Sequence, residues 1–498
     1  MTTLIHRPLA GYLAALIAGL LTTLSAAPFE LWWLAPVAAG LVYAGLTRLT
    51  PRQAAFKGWC YGLGLFASGA SWVYVSIHDY GYTGMPLALA LTALFVAAMA
   101  LFFAATLWLY RRFTGPRLSA LTFAGAWTLG EAMRTWLFTG FPWLLLGSGQ
   151  LDGPLAAWAP IGGVYLLSLI TALSGALGVA LLRRRYLAAV PLSALWLLPL
   201  LFSLLAATPW TRPVGKPVRV ALLQGNLDQA IKWSAEGQRS AASTYLTLTA
   251  NLNAPVDLVI WPEAALPMLE DQARPIFERA ARLLPEGAGL ISGILRRDGS
   301  GGFHNSVVSL GAAEGSYDKR HLVPFGEYLP LENLLRGAIA FFDLPMPAIT
   351  PGRSDQPVMR AAGARIGNAI CYEIIYADLV VEQARRSEVI LTLSNDTWFG
   401  ASIGPLQHLQ MARLRALENG REVVRATSNG VTAIIDAQGK IVKRLPQFEM
   451  ATLVGEFQPR QGLTPFSRTG SWPVWLLASL MVLPGVRLRR NVGTIFRS

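Results

Sequence analysis

Three short segments of the sequence place groups that could do covalent chemistry where apolar strands are predicted to end. Glu263 follows the run LVIW and a proline, Lys319 lies in the segment SYDKRH, and Cys371 ends the run IGNAI. A thiol must lose its proton before it attacks a carbonyl carbon, and a carboxylate within hydrogen-bond reach can accept that proton. A lysine ammonium can stabilise the oxyanion that the attack creates. These residue types indicate acyl chemistry at a cysteine, but their spacing alone does not bring them together.

Each of these residues also has an ordinary structural interpretation. Glutamates after strands and lysines in loops are commonly solvated, and a cysteine can serve as a small apolar core residue. Cys371 and Cys60 are the two cysteines of the 498 residues, and Cys60 lies in a distant apolar run. A disulfide between them is not expected, so Cys371 is either buried or used. We also expect a helix to start directly after Cys371 and to lower the pKa of its thiol below about 8.5.

The elements that must position these groups belong to two parts of different composition. Hydrophobic residues make up 53% of the chain and charged residues only 14%, whereas soluble domains carry about a quarter charged residues. The apolar excess lies in eight runs, close to the roughly 20 residues that a transmembrane helix needs. We therefore predict about eight transmembrane helices, at residues 9–27, 30–47, 55–76, 84–110, 118–137, 160–182, 187–207 and 471–486.

The net charge of +13 arises in the connections between these runs. With a cytoplasmic N-terminus, alternate connections hold 14 of the 42 Lys and Arg, and the other 28 nearly balance the 29 Asp and Glu. This is the positive-inside pattern of a membrane protein and not the basic patch of a nucleic-acid-binding protein. It predicts that both termini are cytoplasmic. The 14 residues are Arg7, Arg48, Arg52, Lys57, Arg111, Arg112, Arg117, Arg183, Arg184, Arg185, Arg487, Arg489, Arg490 and Arg497.

The chain is predicted to have four parts. They are a membrane domain at residues 1–210 with about seven helices, an outer domain at 215–460, a transmembrane helix at 471–487 and a cytoplasmic tail at 488–498. In the outer domain, short apolar strands alternate with amphipathic helices, which is typical of an α/β fold. The segment TTLSAAPFE resembles a signal-peptidase site, but further runs follow directly, so we expect the first run to be retained.

One apolar segment, residues 331–349, interrupts the alternation of strands and helices. It is either a helix packed on the domain core or a mobile apolar arm that faces the bilayer, where an exposed hydrophobic patch would be tolerated. In the second case it could act as a lid that keeps water from the reacting thiol.

Taken in order, the motifs WPE, YDK and CYE resemble the Glu–Lys–Cys triad of the nitrilase superfamily. With the apolar runs and the segments KRHLVPFGEYLP and NDTWFG, nearly the whole chain resembles the apolipoprotein N-acyltransferase family of Gram-negative bacteria. The resemblance implies a periplasmic αββα sandwich tethered to the inner membrane. It implies that Cys371 takes an acyl chain from a phospholipid, typically phosphatidylethanolamine, as a thioester. The chain then passes to the α-amine of the diacylglyceryl-cysteine at the N-terminus of an apolipoprotein.

The resemblance also implies roles for individual residues. Glu263 would be the general base, Lys319 would support the oxyanion and Cys371 would be the nucleophile. Glu327, in the motif PFGEY, matches a supporting glutamate near the triad. The residues that match positions around the acyl and substrate pocket are Trp233, Tyr372 and Glu373. The sequence contains no metal-ligand cluster or nucleotide-binding motif, so no cofactor is expected.

Three other functions are compatible with parts of the sequence. A Cys–His hydrolase could use His304, His321 or His408, and a membrane-tethered nitrilase or amidase could hydrolyse a C–N bond with the same triad. A transporter or structural membrane protein is the third alternative, but transporters usually bury functional charges at mid-membrane. Here the candidates are Glu131 and Arg134, three residues apart, for which a local ion pair is the simpler expectation.

Overall fold

The structure is a computed structural model that describes residues 8–46, 49–114, 120–205, 209–299, 301–330 and 349–495. The chain forms two compact units. The first comprises Met1–Tyr74, Met85–Pro209 and Thr469–Ser498, and the second comprises Val75–Gly84 and Trp210–Arg468. Apart from Ile349, the predicted apolar arm at 331–349 lies outside the described residues.

The first unit is built from helices, and every predicted apolar run overlaps with at least one of them. α3 begins with a capping box between Thr50 and Gln53 and has Pro51 at its first position, both of which favour helix initiation. The helices are α1 (Pro8–Ser25), α2 (Leu34–Ala44), α3 (Pro51–Gly69), α4 (Val73–Val75), α5 (Met85–Phe113), α6 (Ala120–Trp136), α7 (Ala159–Leu182), α8 (Ala189–Leu205) and, at the C-terminal end, α14 (Trp472–Ile495).

Two helical segments among the described residues are long and apolar enough to cross a membrane. They are α5 and Pro154–Leu182, which includes α7. A third candidate combines Pro51–Gly69 with Val73–Tyr80 and is bent by 62°. The remaining apolar helices are shorter: Leu9–Ser25, Leu34–Ala44, Tyr186–Pro199 and Trp472–Leu483. The helices support a membrane domain, and the number of eight spans stays a prediction.

Close contacts at glycine hold helices of this unit together. A Cβ atom on Gly19 of α1 would collide with the carbonyl oxygen of Tyr61 in α3, and one on Gly125 of α6 would lie 2.5 Å from the carbonyl oxygen of Ala478 in α14. Small residues let helices approach closely in lipid, where apolar side chains alone give little driving force for association. The C-terminal helix therefore packs within the same unit as the N-terminal ones.

The two charged residues of the fifth apolar run are buried and bind the chain segment that follows α6. Arg134 Nη1 donates to the carbonyl oxygens of Phe141 at 3.1 Å and Trp143 at 2.5 Å. Glu131 Oε1 accepts a hydrogen bond from the backbone N–H of Leu146 at 2.8 Å. These contacts give both side chains a structural role, which weakens the transporter alternative.

The second unit contains two large β-sheets and a two-stranded pair of β1 with β15. One sheet has the order β14-β2-β3-β4-β5-β7 and the other has the order β13-β12-β11-β10-β9-β8-β6. The strands are β1 (Thr211–Pro213), β2 (Val218–Gln224), β3 (Leu258–Trp261), β4 (Gly289–Arg297), β5 (Phe303–Gly311), β6 (Ala313–Glu314), β7 (Ser316–Asp318), β8 (Met359–Ala361), β9 (Ala364–Ile370), β10 (Val389–Ser394), β11 (Val423–Thr427), β12 (Ala433–Ile435), β13 (Ile441–Arg444), β14 (Ala451–Phe457) and β15 (Arg460–Gly462).

The two large sheets pack face to face between helices. Buried side chains of both sheets, such as Leu222 and Ile260 of one and Ile366 and Leu391 of the other, form a shared core. The first sheet packs its other face on α9 and α10, and the second sheet contacts α11 and α12. The predicted α/β domain is confirmed, and its layers form an αββα sandwich. The helices are α9 (Ala235–Ala250), α10 (Glu270–Leu283), α11 (Ala377–Ala384), α12 (Gly404–Asn419) and α13 (Pro465–Thr469).

Each sheet contains three neighbouring parallel strands, β2-β3-β4 in one and β9-β10-β11 in the other. Parallel strands bring their carboxyl ends to the same edge of a sheet, which is where ligands commonly bind in open α/β sheets. The predicted reactive residues follow strands at these ends, so the fold itself provides a reason for them to meet.

Candidate active site

The structure places Glu263 and Cys371 on different sheets of the sandwich. Glu263 follows β3 of the six-stranded sheet, and Cys371 directly follows β9 of the seven-stranded sheet. Asn395, after β10, connects the two, because its backbone N–H donates to Glu263 Oε2 at 2.6 Å. Lys319, the residue after β7, is 1% exposed and Glu263 is 5% exposed. The two ionic residues of the predicted triad are therefore buried in the protein interior.

Lys319 lies between two carboxylates. Its Nζ is 2.9 Å from Glu327 Oε1 and 3.4 Å from Glu263 Oε1. Burial by itself lowers the pKa of Lys319, but Glu327 and Glu263, with a smaller effect of Cys371, outweigh burial and raise the pKa above its ordinary value. The carboxylates therefore favour the cationic form of Lys319, and its charge acts on the thiol of Cys371. The structure brings the predicted supporting glutamate, Glu327, into the same cluster as Glu263.

Asn305 joins the two carboxylates, although no motif in the sequence marks it as a site residue. Its Nδ2 donates to Glu263 Oε1 at 2.7 Å and to Glu327 Oε1 at 2.9 Å. Glu327 is fixed further by the backbone N–H of Val323, 2.8 Å from its Oε2. Buried carboxylates need such partners, because an unsatisfied buried acceptor costs about 1–3 kcal/mol. With these donors, Glu263 and Glu327 are each held in one orientation.

Cys371 occupies a strained backbone position at the end of β9. Its φ is +50°, in the left-handed region that non-glycine residues reach only at a cost of about 1–3 kcal/mol. Residues Cys371–Ile375 form a short 3₁₀ helix, and the α-helix α11 begins only at Ala377. The helical segment directly after the cysteine is therefore a tight 3₁₀ helix, and the predicted α-helix follows it. Strain of this kind at a reactive side chain is typical of functional sites.

The expected lowering of the thiol pKa is wrong. Burial, reinforced by the negative charge of Glu263, raises the pKa of Cys371 well above its ordinary value, and Lys319 opposes this only in part. Asp396 also raises the pKa, and a hydrogen bond with Ser394 lowers it. The resting side chain is thus a neutral thiol that needs a base when it reacts.

The raised pKa predicts how Cys371 reacts with iodoacetamide. Only the thiolate is alkylated, and a raised pKa moves thiolate formation to higher pH. In a Cys60→Ser background, labelling of the folded protein should therefore show no inflection near pH 8.5, where an ordinary thiol titrates, and should accelerate only at higher pH. Denatured protein, labelled in parallel, should show the ordinary inflection. An inflection of the folded protein at or below pH 8.5 would contradict the neutral resting thiol.

Glu373 is fully buried, and protein donors occupy its carboxylate. Oε2 accepts from the backbone N–H of Ile370 at 2.7 Å, while Oε1 accepts from Tyr317 Oη at 2.9 Å and from the backbone N–H groups of Arg320 at 2.6 Å and His321 at 3.1 Å. Glu373 therefore ties the turn of the cysteine to the loop of Lys319. Its predicted contact with substrate stays a prediction.

The other two predicted pocket residues differ in exposure. Trp233 is 39% exposed and Tyr372 is 8% exposed, with the Tyr372 ring 5.3 Å from that of Tyr376. Beside Trp233 lies Lys232, which the sequence analysis missed and which is 2% exposed. Burial lowers the pKa of Lys232 to about 8, against the opposing effect of Glu263. A second lysine therefore lies within electrostatic range of the candidate base.

The three histidines of the Cys–His alternative occupy different surroundings. His304 Nδ1 is 2.7 Å from the carbonyl oxygen of Thr350, and the His321 ring lies 3.9 Å from that of Tyr376. His408 Nε2 reaches the backbone carbonyl oxygen of Cys371 at 3.1 Å. The side chains that act most strongly on the thiol are instead two carboxylates, a lysine and a serine. This arrangement favours the Glu–Lys–Cys interpretation.

A cavity of about 360 Å³ lies within the same unit, and hydrogen bonds through Asn395 link its wall to the candidate base. Gln229 of its wall accepts a hydrogen bond from Asn395 Nδ2 at 3.4 Å, and Asn395 also binds Glu263. The lining residues are Asp79, Tyr80, Tyr82, Asn226, Leu227, Asp228, Gln229, Ala230, Thr397 and Asn429. The segment 75–84, which interrupts the helical unit in the sequence, thus contributes to a cavity of the α/β unit.

Comparison with known families and proteins was consistent along the chain. Residues 18–177 match the apolipoprotein N-acyltransferase N-terminal domain, and residues 219–462 match the carbon-nitrogen hydrolase family. The apolipoprotein N-acyltransferase of Azotobacter vinelandii is 49% identical over 95% of this chain and 93% of its own length. The proteins of the same name from Pseudomonas aeruginosa PAO1 and Vibrio vulnificus are 47% and 40% identical, over 95% and 98% of this chain and 95% and 99% of their own lengths.

Two solved structures resemble about half of the chain. The glutamine-dependent NAD+ synthetase of Acinetobacter baumannii has a TM-score of 0.37 and 18% identity over 49% of this chain and 46% of its own. A carbon-nitrogen hydrolase from Helicobacter pylori has a TM-score of 0.37 and 15% identity, over 48% of this chain and 89% of its own.

Proposed function

This chain belongs to the apolipoprotein N-acyltransferase family, and we propose that it works through a thioester at Cys371. In the proposed reaction, an acyl chain passes from a phospholipid, typically phosphatidylethanolamine, to that sulfur. It then passes to the α-amine of the diacylglyceryl-cysteine at the N-terminus of an apolipoprotein. The enzyme is an acyltransferase of lipoprotein maturation. What we propose is the phospholipid donor, the thioester intermediate and the roles of the individual residues.

One observation carries the proposed mechanism: a buried carboxylate–lysine–carboxylate cluster that acts electrostatically on a neutral thiol in a strained turn. A neutral thiol needs a base, and Glu263 is a carboxylate fixed by Asn305 and Asn395. The oxyanion formed by attack on a carbonyl needs a cation, and Lys319 is one with a raised pKa. The cluster therefore supplies each group that acyl transfer to sulfur requires.

In the first half-reaction, Cys371 Sγ attacks the ester carbonyl carbon of the phospholipid while Glu263 takes the thiol proton. Lys319 and the backbone N–H groups of the turn stabilise the negative oxygen of the tetrahedral intermediate. The intermediate then collapses: the bond from the carbonyl carbon to the glycerol oxygen breaks, and that oxygen receives the proton from Glu263. A lysophospholipid leaves, and the acyl chain remains on sulfur.

In the second half-reaction, the α-amine of the acceptor attacks the thioester carbonyl. Glu263 takes a proton from the nitrogen, the carbon–sulfur bond breaks, and the thiolate recovers its proton from Glu263. The raised pKa of the Cys371 thiol favours this last proton transfer, which returns the enzyme to its neutral resting state. Water must be excluded meanwhile, because hydrolysis would release the acyl chain as a fatty acid.

We further propose an inner-membrane location with both termini in the cytoplasm, about eight spans, and the α/β domain at 215–460 in the periplasm. The support is the uneven distribution of the 14 cations over the connections and the presence of a helix in each apolar run. Both proposed substrates are lipids and lie in the membrane. Membrane helices before and after the α/β domain in the sequence would keep the thiol at the outer leaflet.

The experiment is intact-mass analysis of the purified protein after incubation with phosphatidylethanolamine vesicles. We expect a gain in mass of one acyl chain, which disappears when a diacylated lipopeptide is added and reappears on its N-terminus. A protein that never gains acyl mass would refute the thioester mechanism. Acyl mass that is released only as free fatty acid, with the lipopeptide unchanged, would instead indicate a membrane-tethered hydrolase.

A further inference from the structure

Behind the turn of Cys371 lies a buried ion pair that the proposed chemistry does not use. Asp396 follows β10 and Arg425 lies in the neighbouring strand β11, and both side chains are 0% exposed. Asp396 Oδ2 accepts from Arg425 Nη2 at 2.5 Å, and Asp396 Oδ1 accepts from Ser394 Oγ at 2.6 Å. A fully buried ion pair contributes little to stability, because desolvation offsets its attraction. Its presence beside the nucleophile therefore calls for a functional explanation.

His408 connects this ion pair to the nucleophile. The ring lies in α12 and is 1% exposed, with Nδ1 3.0 Å from Asp396 Oδ1 and 3.2 Å from Arg425 Nη2. On its other edge, Nε2 lies 3.1 Å from the backbone carbonyl oxygen of Cys371. A carbonyl oxygen can only accept, so Nε2 carries a hydrogen and donates it. Burial, reinforced by Arg425, lowers the pKa of His408. In the neutral ring with its hydrogen on Nε2, Nδ1 can only accept, and Arg425 Nη2 is its donor.

The hydrogen bond from His408 Nε2 holds the carbonyl group of Cys371, the residue with the strained backbone. The carbonyl group of Cys371 follows its strained φ of +50°, and a relaxed backbone would swing both the carbonyl and the side chain. Arg425 Nη2 donates to Nδ1 of the ring and is itself held by Asp396, so the Nε2–H marks one position for that carbonyl oxygen. The direction of the thiol is thereby coupled, through His408, to Arg425 and Asp396.

We propose that His408 is a positioning residue that holds the turn of Cys371 in its left-handed conformation, with Arg425, itself held by Asp396, fixing the orientation of the imidazole. The inference rests on the proposed nucleophilic role of Cys371. His408 takes no proton from the thiol in this scheme, which separates it from the base of a Cys–His hydrolase. Its effect is on geometry, and misplacing a reacting group by about 1 Å can lower a rate by on the order of 100-fold.

The test compares His408→Gln with His408→Asn in the full-length protein. The Gln amide nitrogen can take the place of Nε2 and donate to the Cys371 carbonyl, whereas the shorter Asn amide stops near the position of Nδ1. We expect the Asn variant to lose on the order of 100-fold in kcat for acyl-thioester formation with little change in KM, and the Gln variant to keep most of the activity. His304→Leu is the matched control, since it removes another imidazole–carbonyl contact of the same unit and should leave kcat unchanged.

Several outcomes would overturn the positioning role. Equal losses in both folded variants, a fully active Asn variant, or a Gln variant that fails to fold although it preserves the donor would each do so. If only the Asn variant fails to fold, a folded Gln variant decides, and its activity supports or refutes the proposal. If the unmodified protein forms no thioester, the proposed function fails first, and the iodoacetamide labelling rate of Cys371 in the same variants then tests the geometry separately.

Discussion

Serine in place of Cys371 is expected to abolish the acyl-enzyme and to lower N-acylation of a lipopeptide by about 10⁴-fold or more, the scale seen when a nucleophile is removed from a catalytic triad. A hydroxyl is far less acidic than a thiol, and burial together with Glu263 already disfavours an anion at this position. The same base would have to remove a much more tightly held proton. The measurement combines intact mass, for the acyl-enzyme, with the rate of acyl transfer.

Cys60→Ser is the matched control, because it makes the same substitution at the other cysteine of the chain. Cys60 belongs to α3 of the helical unit, and its loss should leave the acyl mass and the transfer rate as they are. Circular dichroism and detergent-phase elution of both variants establish that they fold. A folded Cys371→Ser protein that still adds a third acyl chain to its acceptor at a normal rate would rule out the thioester.

Replacement of Lys319 by methionine is expected to have the second largest effect, on activity and on stability together. The side chain is buried between Glu263 and Glu327, so its removal takes away the cation that would stabilise the oxyanion. Loss of one oxyanion donor lowers kcat by about 10²–10³-fold. It also leaves the carboxylates of Glu263 and Glu327 without the lysine that pairs with both, and breaking a buried ion pair costs about 3–5 kcal/mol. Acyl-enzyme formation and thermal unfolding are the two measurements.

A double variant separates these two effects. Lys319→Met with Glu327→Gln removes one of the unpaired charges, so it should recover much of the lost thermal stability without recovering activity. Lys440→Met, at an exposed lysine of the same unit, should change neither. Substantial activity in the Lys319→Met protein would show that the oxyanion is stabilised elsewhere, and the assigned role of this lysine would be wrong.

The architecture can be predicted from the sequence because local patterns of apolar residues determine it. Long apolar runs correspond to helices, and the short strands that alternate with helices correspond to the two sheets of the sandwich. Element lengths were less accessible: α2 is 11 residues long within a predicted run at 30–47. Helix ends depend on capping and on the next turn of the chain, which apolar composition does not describe.

The candidate site was accessible only where a motif marked it. Glu263, Lys319 and Cys371 belong to an ordered set of motifs, whereas Asn305 lies inside β5, in a segment that looks like any buried strand. The sole available signal was a polar residue at a position that the strand pattern would bury. The sequence suggests His408 only as a candidate base. Its positioning contact is not predictable, since no sequence pattern tells which edge of a ring meets a carbonyl group 37 residues away.

The pKa of the thiol was mispredicted for a related reason. A lowered pKa follows from the local turn and a helix after it. In the structure, burial and Glu263, which follows a strand of the other sheet, instead raise the pKa of the Cys371 thiol. Electrostatic environments are set by atoms that are distant in sequence. A nucleophile at a strand end can therefore be located from sequence more easily than its ionisation state.

Because the proposed base, Glu263, and the proposed nucleophile, Cys371, follow strands of opposite sheets of the sandwich, their separation depends on the interface between those sheets. Leu222 and Ile260 meet Ile370 and Leu391 there, and close-packed interiors transmit a change in volume instead of absorbing it. Making one of these aliphatic side chains larger or smaller would leave each layer folded. It would nevertheless change the distance between the carboxylate oxygens of Glu263 and the sulfur of Cys371. Natural selection would then remove substitutions in this apolar core because they lower the turnover rate of the enzyme, even where the domain still folds.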